Sequence, residues 1–140
     1  MEPITSITPR QLGEAWVENL RSGTFEQGYG RLYCPRSQSY CCLGVLVETA
    51  ITLCPELAEW QFLWEEFGTI GRDTTAFLPH TLQEFLSVDR DGSPEDREEH
   101  RYQLANGERS LLTIANDCFG QSFAQIADII EEQLLPYLEA

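Results

Sequence analysis

Apolar residues return at three- and four-residue steps over much of this chain, in blocks that end at glycine or proline. The first block holds Leu12, Trp16 and Leu20. Thr8 stands ahead of it as an N-cap, Pro9 suits the first helical position, and Gln11 completes a T-x-x-Q capping box; Gly23 supplies a left-handed stop. Residues 43–53 are apolar with almost no polar relief, which predicts a helix buried on most faces and ended by Pro55. Leu57, Trp60, Leu63, Trp64 and Phe67 then form an amphipathic helix with an aromatic stripe. Pro79 opens a short helix carrying Leu82, Phe85 and Leu86.

Between the first two helices the pattern changes period. Residues 29–33 alternate weakly, 35–39 form a polar turn and 39–43 return, as in a short β-hairpin. Residues 68–77 are turn-rich and suit a strand pair, while 89–101 are polar throughout and read as an exposed loop or a solvated helical turn. Two helices close the chain. One runs over 108–118 with Leu111, Leu112, Ile114 and Ala115; the other is capped by Ser122 and Gln125 and bears Phe123, Ile126, Ile129, Ile130 and Leu134. The expected fold is α+β: a mainly helical single domain over residues 1–140, with a small β-hairpin or sheet near residues 29–43 and a C-terminal helix pair.

Composition supports a real core, since 42% of the 140 residues are hydrophobic. No run approaches the ~20 apolar residues a bilayer requires, and the N-terminus has neither a basic n-region nor an apolar h-region. A soluble protein that is not exported is expected. Cys34, Cys41, Cys42, Cys54 and Cys118 are odd in number and irregular in spacing, which predicts free, buried and inert thiols in a reducing cytosol. Nine basic residues face 23 acidic ones, a formal net charge of -14 that opposes direct binding to nucleic acid or an anionic membrane. An anionic partner must then be small and locally recognised. All nine basic residues are arginines, whose planar fork suits carboxylate or phosphate; coding bias accounts for the same fact.

Catalytic and metal chemistry find little support. The chain has no C-x-x-C or H-x-x-x-H pair for zinc, and the glycine of the D-R-D-G run at Asp89 comes too early for a calcium loop. It has no G-x-S-x-G elbow and no P-loop. Adjacent carboxylates such as Glu131 and Glu132 diverge on a helix surface and do not form an acid–base pair. No catalytic residue, metal site or cofactor is therefore predicted. The strongest candidate is a ligand site around the glycines Gly23, Gly28 and Gly30. Arg21, Gln27 and Arg31 bring fork or amide donors to that loop, Trp16, Phe25 and Tyr29 bring stacking faces, and Asn116 and Asp117 could read a base edge. Predicted ligand-binding residues are Trp16, Arg21, Gln27, Gly28, Tyr29, Gly30, Arg31, Asn116 and Asp117. The same glycines also serve a helix cap and a tight hairpin, and Asn116 and Asp117 also serve as caps.

The patterns W-V-x-x-L-R-S-G-x-x-x-Q-G-x-G-x-L from Trp16, Y-C-C-L-G-V-L from Tyr40 and I-A-N-D-x-x-x-x-S-F-x-x-I-A-x-x-I-E from Ile114 resemble a family of small, uncharacterised proteins of tailed bacteriophages and prophages. That resemblance implies a phage accessory protein in the host bacterial cytoplasm, without a mechanism. The expected function is counter-defence by sequestering a small anionic, nucleotide-type immune signal in the glycine loop. An acidic nucleic-acid mimic that blocks a host defence protein is the alternative, and an unrecognised small hydrolase a third. Homo-oligomerisation is left open.

Overall fold

The computed structural model describes residues 4–67, 69, 77–90, 92, 102–104, 109–110, 116 and 121–140. Helix α1, Pro9–Arg21, begins as its capping box dictates: the Gln11 amide donates to Thr8 Oγ1 at 3.2 Å, and the Thr8 amide donates to Gln11 Oε1 at 2.9 Å. Leu12, Trp16, Val17 and Leu20 face the core. Ser22 closes the helix, and Gly23, at φ +77°, turns the chain out of it in the left-handed region that only glycine occupies without strain.

Three two-residue strands follow, β1 (Glu26–Gln27), β2 (Tyr33–Cys34) and β3 (Ser39–Tyr40). They lie in the order β1-β3-β2, with β1 parallel and β2 antiparallel to β3; Tyr33 pairs with Tyr40 and Gln27 with Tyr40 across the two edges. The expected hairpin is therefore β2–β3, and β1 makes it a small sheet. The register sets Tyr33 beside Tyr40, which becomes important below.

Helix α2, Cys42–Leu53, is almost wholly buried, as its apolar run predicts. Its N-terminus sits against the chain just before β2: the Cys41 amide donates to the Leu32 carbonyl at 3.2 Å, and a Cβ on Gly44 would overlap that same carbonyl. Gly44 is thus needed for a close approach of backbone to backbone. A 3-10 turn at Pro55–Leu57 leads into α3 (Ala58–Phe67), and α4 spans His80–Leu86. Leu57, Trp60 and Trp64 enter the core, as do Leu82 and Leu86.

The short antiparallel pair β4 (Tyr102–Gln103) and β5 (Arg109–Ser110) was not expected; β5 replaces the start of the helix predicted over 108–118. In the sequence an Asn-Gly dipeptide lies between the two strands, and such pairs favour hairpin connections over helix. Asn116 is helical, and the rest of 111–120 lies outside the described residues, as does most of 68–76 and 93–101. Helix α5, Phe123–Gln133, carries the second capping box, Ser122 with Gln125. It lies along α1, and the 3-10 turn Leu135–Tyr137 brings Leu135 and Leu138 over Gly13. The fold is α+β and mainly helical, with one continuous core to which all the α-helices contribute. No helix among the described residues is long and apolar enough to cross a membrane.

Candidate functional site

Most of the residues singled out around the glycine loop are used by the protein itself. Trp16 is 1% exposed, and its indole N–H donates to the Cys42 carbonyl at 2.9 Å, which joins α1 to the first turn of α2. Arg21 closes on α5 instead of the loop: its guanidinium lies 2.7 Å from Asp128 and 3.0 Å from Glu131. These two carboxylates hold its pKa above the ordinary arginine value, and Arg21 in turn lowers that of Glu131.

Gln27, Gly28 and Asn116 are brought together, but in one another's hydrogen bonds. The Gln27 amide nitrogen donates to Asn116 Oδ1 and to the Gln121 carbonyl, both at 2.8 Å; Asn116 Nδ2 donates to the Gly28 carbonyl at 2.9 Å. The Gly28 N–H donates to the Tyr40 carbonyl at 2.6 Å. Asn116 is fully buried and its partners are half-buried, so this is a polar brace tying the loop to the C-terminal segment. Asp117 lies outside the described residues. Tyr29 projects outward at 61% exposure, Gly30 turns at φ +79°, and Arg31 is half-buried with its Nε lacking a hydrogen-bond partner.

Cys41, Cys42 and Cys54 are buried, as expected, whereas Cys34, on the edge strand β2, is only half-buried. A hydrogen bond from Ser37 draws the Cys34 thiol below its ordinary pKa.

A cavity of about 540 Å³ opens beside the sheet, within the size range of small-ligand clefts. Phe25, Tyr33 and Tyr40 form its apolar wall; Glu26, Thr24, Ser37 and Gln38 are among its polar lining. The wall is the front of a larger aromatic stack. Phe25 meets Tyr40 edge-on at 5.2 Å and 86°, Tyr40 lies 4.8 Å from Tyr33, and Tyr33 stacks on buried Trp64 at 5.2 Å and 13°. Cross-strand pairing of Tyr33 with Tyr40 and the helical position of Trp64 produce this column, which no sequence spacing displays.

Carboxylates surround the stack. Burial, with the charge of Glu65 added, raises the pKa of Glu48, whose Oε2 has no hydrogen-bond partner; Trp64 Nε1 has none either. Burial is also the first cause that pushes Tyr40 up to about 12 and Tyr33 above its ordinary value, and Glu48 is the second for both. The groove thus joins the rings of Phe25, Tyr33 and Tyr40 to one carboxylate, that of Glu26, a pairing that suits a cation better than an anion. Sequence reasoning named Phe25 as a stacking face but missed Glu26, Tyr33, Tyr40, Glu48 and Trp64. The only local signal was aromatic density around the hairpin.

No curated protein and no solved structure matches this sequence. A family model matches residues 9–134, and the chain belongs to that family, described as a domain of unknown function, DUF8296.

Proposed function

We propose that this protein is an accessory binding protein of a tailed bacteriophage or prophage, acting in the cytoplasm of the bacterial host. Its acidic surface would occupy the nucleic-acid site of a host defence enzyme. The observation that carries this reading is the state of Arg21. Arg21, which precedes the glycine loop, is closed on Asp128 and Glu131, so it supports the acidic exterior of α1 and α5 and is not held ready for a phosphate. Exposed carboxylates on three helices, Glu14 and Glu18 on α1, Glu59, Glu65 and Glu66 on α3, and Asp128, Glu131 and Glu132 on α5, present negative charge over much of the surface. With a net charge of -14, the field attracts a basic nucleic-acid-binding face and repels nucleic acid itself.

Sequestration of a small nucleotide-type signal is the second reading. It draws on Arg31, whose Nε has no partner, beside the exposed ring of Tyr29.

Expression of the protein in a host carrying a nucleic-acid-dependent defence should restore phage plating. The partner captured from that host should be released both by competing duplex DNA and by raising salt from about 50 mM to about 200 mM. A captured partner indifferent to both would overturn the mimic. A nucleotide recovered by mass spectrometry from denatured protein would favour the second reading.

A further inference from the structure

We propose that the groove bounded by Phe25, Glu26, Tyr33 and Tyr40 receives an arginine side chain of the protein's partner. This inference rests on the reading of the protein as an acidic partner for a basic protein surface, and gives that surface an anchor. Three observations lead to it.

The wall is made of ring surface. Phe25 and Tyr40 stand at 86° to each other, which offers a planar group a face to stack on and an edge to abut. A guanidinium is planar and weakly hydrated, so it stacks on such a face more readily than an ammonium does. The chain makes the same contact elsewhere, where the guanidinium carbon of Arg90 lies 4.4 Å from the centre of the Phe77 ring.

Charge complementarity points the same way. Glu26 lines the groove and is exposed, so its carboxylate is free to turn toward a fork of N–H donors. The charges of Glu48 and Glu65 also act on Tyr33. The arginines nearest in sequence, Arg31 and Arg36, are not among the described residues lining the groove.

Size fits a side chain with its flanking backbone, since about 540 Å³ exceeds one guanidinium with its stem. Arginine is also among the residue types enriched at the energetic centre of interfaces, where it enters a pocket rimmed by weaker contacts. A mimic that relied on diffuse charge alone would gain association rate but little lifetime; an anchored arginine supplies the latter.

The test uses the full chain and two blocked peptides of equal charge, tetra-arginine and tetra-lysine, titrated by NMR at fixed salt. Tetra-arginine should bind about 5-fold or more tightly than tetra-lysine and shift the resonances of Phe25, Tyr33 and Tyr40. Phe25→Leu, which keeps apolar bulk but removes the ring face, should abolish the preference, and Glu26→Gln should weaken tetra-arginine binding. Glu14→Gln, on the exposed face of α1, should leave the preference intact. Equal binding of both peptides, or a preference that survives Phe25→Leu, would overturn the groove proposal while leaving the acidic-surface reading standing. Failure of both peptides to bind at low salt would overturn both.

Discussion

The α1–α5 face and the β1–β3 corner are built from the same chain by opposite means. Along α1 and α5, apolar side chains meet inside and charges stay outside: Trp16, Leu20, Ile126 and Ile130 are buried, and Arg21 reaches Asp128 and Glu131 across the surface. At the corner, three strands of two residues each cannot bury enough apolar area alone, so order comes from the Gln27–Asn116–Gly28 brace and from the aromatic column. The first region keeps its charged groups in water. The second encloses polar atoms, and two of those near the column, Glu48 Oε2 and Trp64 Nε1, are without hydrogen-bond partners. Surplus polarity beside an open groove is a feature expected of a binding site, whereas the helix pair needs nothing further to be stable.

The comparison breaks most sharply at Trp16, which serves both regions. Trp16→Ala should lower stability by about 3–5 kcal/mol, because it empties a core position and removes the indole hydrogen bond to the Cys42 carbonyl. Thermal or urea unfolding would show it, with helix and sheet lost in one transition. A variant that lost only the sheet would mean that the two regions fold independently.

Asn116→Ala separates them. It strips partners from the Gln27 amide and the Gly28 carbonyl, and should lower stability by about 1–3 kcal/mol. Hydrogen exchange should speed up at residues 26–28 and hardly change in α1 and α5. Uniform loosening across both regions would contradict a brace local to the corner.

Glu48→Gln probes the buried carboxylate, and its sign follows from linkage. Burial raises the pKa of Glu48 above its ordinary 4.5 in the folded protein, so folding favours the protonated form. Stability from this residue is full below 4.5 and is lost as pH rises through the folded value. The glutamine variant should therefore be more stable than the parent near about pH 7, with the gain shrinking toward about pH 4. Glu56 has the opposite sign, since bonds from the Thr5 amide and the Ser6 hydroxyl hold it at about 2; its contribution is present above 4.5 and fades as pH falls toward 2. A Glu48→Gln gain independent of pH would show that ionisation is not the cause.

Arg21→Ala should have the smallest effect, below about 1 kcal/mol, because its side chain is 37% exposed and its partners are more exposed still. A larger loss in the unfolding midpoint would place part of the helix packing in the aliphatic stem of Arg21.

Periodicity, capping and breakers settled the helices from local information. Thr8 with Gln11 and Ser122 with Gln125 form the capping boxes their spacing announces, and the apolar run after Cys42 is buried as a helix must be when it has no polar face. These are interactions within one turn, so the sequence contains both partners side by side. Gly23 likewise turns where a helix end needs positive φ.

What no local reading reaches is which distant residue answers a given polar group or ring. Arg21 looked outward in the sequence, yet its partners lie more than a hundred positions away on α5. Gln27 and Asn116 were each legible as hydrogen-bonding groups, but that they satisfy each other was decided by the packing of β1 against the C-terminal segment. Tyr33, Tyr40 and Trp64 became a column through strand register and the placement of α3, and Glu26 became a groove residue through the parallel pairing of β1 with β3. The sequence alone determined where helices start, stop and bury a face, because short-range sterics and hydrogen bonds govern those choices. Only the tertiary structure decided which side chains are consumed by the fold and which are left facing an opening, because that depends on contacts between elements whose order in the chain carries no trace of their distance in space.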